Sequence, residues 1–118
     1  RRCLVGSEMC IRDSDHTDKA RRIIETVGAS NLKLMFDCYH VQILEGDLTR
    51  RLSANLDITG HIQFAGVPDR GRPDRGEIDY RHVFAHIGAL GYDAPLGAEY
   101  KPENGDTDAS LGWMSTLG

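Results

Sequence analysis

Asp37, Gln63 and Glu99 each close a short apolar stretch that reads as a β-strand: LKLMFD over 32–37, the alternating HIQFA over 61–65, and PLGAEY over 95–100. Where strands alternate with helices, ligands gather at the carboxyl ends of the strands. Three oxygen donors would then face one rim. Carboxylate and amide oxygens are hard ligands, suited to Mg²⁺ or Mn²⁺ rather than to zinc or copper. Polar residues at strand ends also cap helices and bind loop amides, and spacing alone leaves both roles open. His40 follows Asp37 by three residues, where it either reaches a metal-bound substrate or serves a structural role. His61 shares the period-2 phase of Gln63 and so its face of the strand. The loop PDRGRPDRGE over 68–77 carries Arg70, Arg72 and Arg75. A guanidinium offers a planar bidentate fork to a carboxylate or phosphate, and Arg72 and Arg75 are expected to be solvated. Tyr39 is expected to pack, and His82 and His86 to lie on a helix surface.

These side chains need elements to position them. Ala20, Ile23, Ile24 and Val27 recur at helical spacing, with Asp15 or Thr17 as the cap and Gly28 as the stop. Ile43, Leu44, Leu48, Leu52 and Leu56 predict one helix over about 41–54, with Glu45 at its start, where a carboxylate favours the helix dipole. Tyr80, Val83, Phe84, Ile87 and Leu90 give a clean stripe closed by Gly91, and Leu111, Met114 and Leu117 predict a short closing helix. The order α-β-α-β-α-β-α implies parallel strands joined by right-handed crossovers. Three such strands are too few to close a barrel. A (β/α)₈ barrel takes about 250 residues, so the layout corresponds to roughly three of its eight units.

The composition narrows the class. The chain has 118 residues, 40% hydrophobic and 27% charged, with a net charge of −4, which gives no electrostatic case for nucleic acid or an anionic membrane. No apolar run approaches the roughly 20 residues of a membrane span. Three cysteines without a CxxC pair argue against a disulfide scaffold or zinc module and for a reduced, cytoplasmic compartment. Residues 1–14, RRCLVGSEMCIRDS, follow no period and resemble translated sequencing-adapter read-through. They are expected to be a non-native tail, with residues 15–118 forming the domain.

The motifs FDCYHVQ, GHIQFAGVPDR, GEIDYRHVF and GAEYKP, with LGWM near the end, closely resemble the hydroxypyruvate isomerase family of xylose-isomerase-like TIM barrels. The resemblance spans about residues 15–117 and corresponds to the C-terminal part of that barrel. It implies that Asp37, Gln63 and Glu99 are three of four metal-binding or active-site positions, the fourth being a glutamate on an earlier strand outside this chain. It implies Mg²⁺ or Mn²⁺ as cofactor, His40 as a substrate contact near the metal, and Arg70 as the holder of the substrate's polar end. Lys101 belongs to the motif without an assigned role. The implied partner is a small hydroxy-keto acid, and a homo-oligomer is an expectation for the full-length parent. The implied reaction is aldose–ketose isomerisation of hydroxypyruvate to tartronate semialdehyde through a metal-stabilised enediolate, with Glu99 as one of two proton-transferring glutamates. The fragment alone is expected to be inactive. Relatives that isomerise 2-oxo-tetronate are the first alternative. Sugar 3-epimerases come next, disfavoured because they carry histidine at the Gln63 position. A non-catalytic fragment that pairs with a complementing half-barrel is the alternative from another class.

Overall fold

A computed structural model describes residues 4–5 and 17–117. The expected tail over 1–14 therefore lies outside the described residues, apart from Leu4–Val5. The elements in order are β1 (Leu4–Val5), α1 (Thr17–Val27), β2 (Lys33–Asp37), α2 (Cys38–Leu44), α3 (Leu48–Asn55), β3 (Thr59–Phe64), α4 (Tyr80–Ala89), β4 (Leu96–Ala98) and α5 (Met114–Leu117). The sheet order is β1-β2-β3-β4. The β2–β3 and β3–β4 pairs are parallel, as expected, and β1 adds an antiparallel edge at Lys33 and Leu34.

Alternation along β2 and β3 separates two faces. Leu34, Phe36, Ile62 and Phe64 are buried against the helices. Met35, Asp37, His61 and Gln63 share the other face. On the helical side Phe64 meets Tyr80, Phe84 and Trp113, with ring centroids 5.6, 4.9 and 5.5 Å away. The Tyr80 hydroxyl donates to the Ala65 carbonyl at 2.7 Å and accepts from the Ala65 amide at 3.2 Å. This locks α4 to the carboxyl end of β3, and burial pushes the phenol's pKa well above its ordinary value. Among the described residues no helix is long and apolar enough to cross a membrane.

Several sequence expectations are corrected. The single helix over 41–54 is two helices, α2 and α3, because Gly46 (φ 70) and Asp47 (φ 52) turn the chain through the left-handed region between them. Leu48 and Leu52 remain buried, whereas Ile43 and Leu44 point outward. Val27 is exposed, so the buried stripe of α1 is Thr17, Ala20 and Ile24. Of the closing stripe only Leu117 packs against the core; Leu111 and Met114 are exposed, and Ser110 and Trp113 of the 3-10 turn Ala109–Trp113 take the buried positions. The third strand is the shorter Leu96–Ala98, which leaves Glu99 just beyond it.

Glu45 is not at a helix start. It follows the last turn of α2 and reaches across to α1, accepting from the Thr17 amide at 2.9 Å and the Thr17 hydroxyl at 3.0 Å. Arg51 Nε sits 3.4 Å from its carboxylate. The dipole it serves is that of α1, capped by a residue distant in sequence. Glu45→Ala is expected to destabilise the fold by about 1–2 kcal/mol, and Glu45→Gln by less. Urea unfolding followed by circular dichroism measures this; equal loss in the two variants would mean that the charge, not the hydrogen-bonded cap, holds α1.

Candidate active site at the strand ends

The junction of β2 and α2 fixes the first donor. Asp37 is buried, and its Oδ1 accepts from the backbone amides of Tyr39 at 3.0 Å and His40 at 3.3 Å, capping α2. The helix-cap role and the ligand role that the sequence left open therefore divide between two oxygens. Oδ2 stands clear of the cap and lies 3.9 Å from His40 Nε2. Burial lowers the His40 pKa from its ordinary value; the Asp37 carboxylate opposes this shift and the Arg70 guanidinium adds to it. Cys38, fully buried, has its thiol pKa pushed far up by desolvation and by Asp37, which makes it an inert packing residue.

Gln63 is the Cα partner of Asp37 in the next strand and of Gly97 on its other side. Its Oε1 is buried without a hydrogen-bond partner, a condition shared among the described side chains only by the Tyr92 hydroxyl. An orphaned acceptor of this kind costs stability unless something else satisfies it. A Cβ at Gly97 would stand 2.8 Å from His61 Nε2 and 3.3 Å from Gln63 Cγ, so glycine is what lets these side chains lie across β4. His61 thus shares the Gln63 face, as its phase predicted.

Glu99 does not stand level with the other two donors. Gly97 occupies that level, and Glu99 lies two residues further on, its amide donating to the Phe64 carbonyl at 3.0 Å. Its carboxylate is partly exposed and accepts from Arg70 Nη2 at 3.0 Å. Arg70 has φ 59, and its carbonyl accepts from the Lys101 amide at 2.8 Å, which ties the loop to the end of β4. Lys101 thereby gains a backbone role. Gly66 begins this loop under close backbone carbonyls; a Cβ there would be 2.5 Å from the Arg72 oxygen.

The other arginines turn away from the rim. Arg72 forms a bidentate pair with Asp74 at 2.6 and 3.0 Å, and Arg75 pairs with Glu103. His82 and His86 lie along the outer side of α4, as expected, and bond there to Thr49 and Ser53 of α3 at 3.1 and 2.8 Å, a solvent-facing polar seam between the helices. Tyr39 packs against the core as expected, but its ring also lies under the Arg70 guanidinium, 5.2 Å from its carbon, a contact the sequence did not reveal.

Among the described residues no group of three or more His, Cys, Asp or Glu is arranged to hold a metal ion. The candidate set is instead two carboxylates and an amide. Its fit to a hard divalent cation rests on the orphaned Gln63 Oε1 and the uncapped Asp37 Oδ2 on neighbouring strands.

Parallel strands joined by helices, with polar side chains at their carboxyl ends, place this fold among α/β barrels. The xylose isomerase-like TIM barrel family matches residues 5–117, and the chain belongs to that family. It is 50% identical over 97 residues to 2-oxo-tetronate isomerase of Cupriavidus necator, covering 82% of this chain and 37% of the relative. It is 43% identical over 98 residues to hydroxypyruvate isomerase of Escherichia coli, covering 83% and 38%. Among solved structures, an AP endonuclease, family 2, from Brucella melitensis superposes with a TM-score of 0.80 at 37% identity, covering 86% of this chain and 39% of that one. The chain thus spans less than two fifths of the length of each of these relatives.

The division of roles at Asp37 and the orphan at Gln63 lead to opposite expectations for stability. Without added metal, Asp37→Ala should cost about 1–2 kcal/mol through the lost cap, and Asp37→Asn much less. Gln63→Leu should be neutral or stabilising by up to about 1 kcal/mol, because it removes an unsatisfied buried group. Denaturant unfolding of the three variants tests this, and a Gln63→Leu loss as large as that of Asp37→Ala would refute the orphan assignment.

Proposed function

We propose that this chain supplies one wall of an isomerase acting on a small hydroxy-keto acid, converting hydroxypyruvate to tartronate semialdehyde. The observation that carries this reading is the convergence at one rim of Asp37 Oδ2, the orphaned Gln63 Oε1 and the Arg70–Glu99 pair. The similarity to relatives named for hydroxypyruvate and 2-oxo-tetronate isomerisation supports it.

Asp37, Gln63 and Glu99 would hold Mg²⁺ or Mn²⁺. Such a cation, when bound, supplies Lewis acidity for the charge that develops on the substrate oxygens. The rest falls to the side chains. Arg70 holds the substrate carboxylate through its fork of donors. His40, kept towards its neutral form by burial, stands beside Asp37 to hydrogen-bond a substrate hydroxyl. Isomerisation removes a proton from C3 and returns one to C2 as the carbonyl moves from C2 to C3. Glu99 serves as one of the two groups that carry these protons. The second is a glutamate contributed from outside this chain.

A second reading, 2-oxo-tetronate as substrate, is favoured by the 50% identity to the relative of that name. Both substrates place a carboxylate beside the ketone, so the role of Arg70 is the same in each.

The chain mixed with the separately produced N-terminal part of the E. coli relative should turn over hydroxypyruvate with Mg²⁺, and the chain alone should not. Glu99→Gln should lower the complemented rate at least about 100-fold. Comparable turnover by the chain alone would overturn the need for a second carboxylate. Faster turnover of 2-oxo-tetronate would select the second reading.

A further inference from the structure

Tyr39 has no part in the chemistry above, yet three features of the rim meet at it. Its hydroxyl donates to the Pro68 carbonyl at 3.2 Å. Its ring lies under the Arg70 guanidinium at 5.2 Å, and meets the His40 imidazole at 5.1 Å with the planes 79° apart. Arg70 itself has a backbone in the left-handed region, a conformation that persists in a non-glycine residue only when its surroundings enforce it. The Lys101 amide on its carbonyl, Tyr39 beneath its side chain and Glu99 at its tip do so.

The Arg70–Glu99 pair conflicts with the work assigned to its members. Glu99 Oε2 is engaged by Arg70 Nη2, and a bidentate hold on a substrate carboxylate draws on that same nitrogen. A substrate carboxylate arriving at Arg70 takes the place of Glu99 and releases it. During that exchange the guanidinium loses one anchor before it gains the other. A long, flexible side chain would otherwise follow Glu99 or swing into solvent. Attraction to a ring face depends only on the cation, so it is unchanged by which carboxylate Arg70 holds.

We infer that Tyr39 is a positioning residue, an aromatic platform that keeps Arg70 at the rim while its partner changes from Glu99 to the substrate carboxylate. The inference rests on the reading of Arg70 as the carboxylate-binding residue. It makes the site selective for anionic 2-oxo acids over neutral hydroxyketones of similar size.

Two measurements on the chain test it. In the ligand-free protein, the Arg70 side-chain proton resonances should carry the ring-current shift of Tyr39, lose it in Tyr39→Leu and retain it in Tyr39→Phe. In titrations, Tyr39→Leu should weaken hydroxypyruvate binding about fivefold, Tyr39→Phe less than about twofold, and neither should change dihydroxyacetone binding. In an Arg70→Gln background, Tyr39→Leu should have no further effect. Arg70 resonances unmoved in Tyr39→Leu would overturn the inference, as would equal weakening of both ligands or a loss that persists without Arg70. If hydroxypyruvate fails to bind the parent chain while the Arg70 resonances shift as expected, the keto-acid reading falls and the exchange with it, and only the resting contact between Tyr39 and Arg70 stands.

Discussion

The structure turns on one carboxylate at the end of β2. A buried anion is expensive unless hydrogen bonds and favourable dipoles compensate it. Asp37 finds that compensation in the first amides of α2, which the chain reaches at once because helix follows strand with no intervening loop. The cap uses one oxygen and fixes the side-chain torsion, so the second oxygen is aimed as a by-product of helix initiation. His40 is placed by the same event, since its amide is part of the cap and its ring returns to the free oxygen. A local rule of helix capping therefore orients two members of the candidate site through contacts within four residues of chain.

The opposite side of the rim is built by long-range contacts, and it is more exposed. Arg70 and Glu99 are far apart in sequence and are brought together because the loop after β3 is stitched to the residues after β4 through Lys101. An exposed ion pair of this sort adds little to stability. Its value lies in placing two complementary charges where a charged ligand can compete for one of them. The rigid half of the site and the exchangeable half thus have different physical origins.

What could be read in the sequence follows the same division. The period-2 alternation of β2 and β3 and the helical stripe of α4 showed the framework, because burial on one face forces those spacings. Asp37, Gln63 and Glu99 could be placed at strand ends, but not at their relative heights. The break between α2 and α3 was hidden because Leu48 and Leu52 continue the apolar spacing set by Ile43 and Leu44, although only the later pair is buried. The Glu45 cap on Thr17 and the Tyr39 platform under Arg70 have no local signature; both join residues about thirty positions apart through side-chain geometry. Trp113 entered the core instead of Leu111 because the closing segment forms a 3-10 turn, whose three-residue period presents a different face.

Gly97 shows how a single small residue shapes the site. Directly beside Gln63 in the sheet, it cannot contribute a donor, and any side chain there would collide with His61. The nearest residue of the same phase towards the carboxyl end is Glu99, where regular pairing has ended and solvent has access. A carboxylate at the Gly97 level would stand next to Gln63, with only that strand between it and the buried Asp37. Displacing it by two residues separates the charges and lets Arg70 reach the outer one. The glycine therefore sets both the spacing of the two carboxylates and the availability of Glu99 to an arginine.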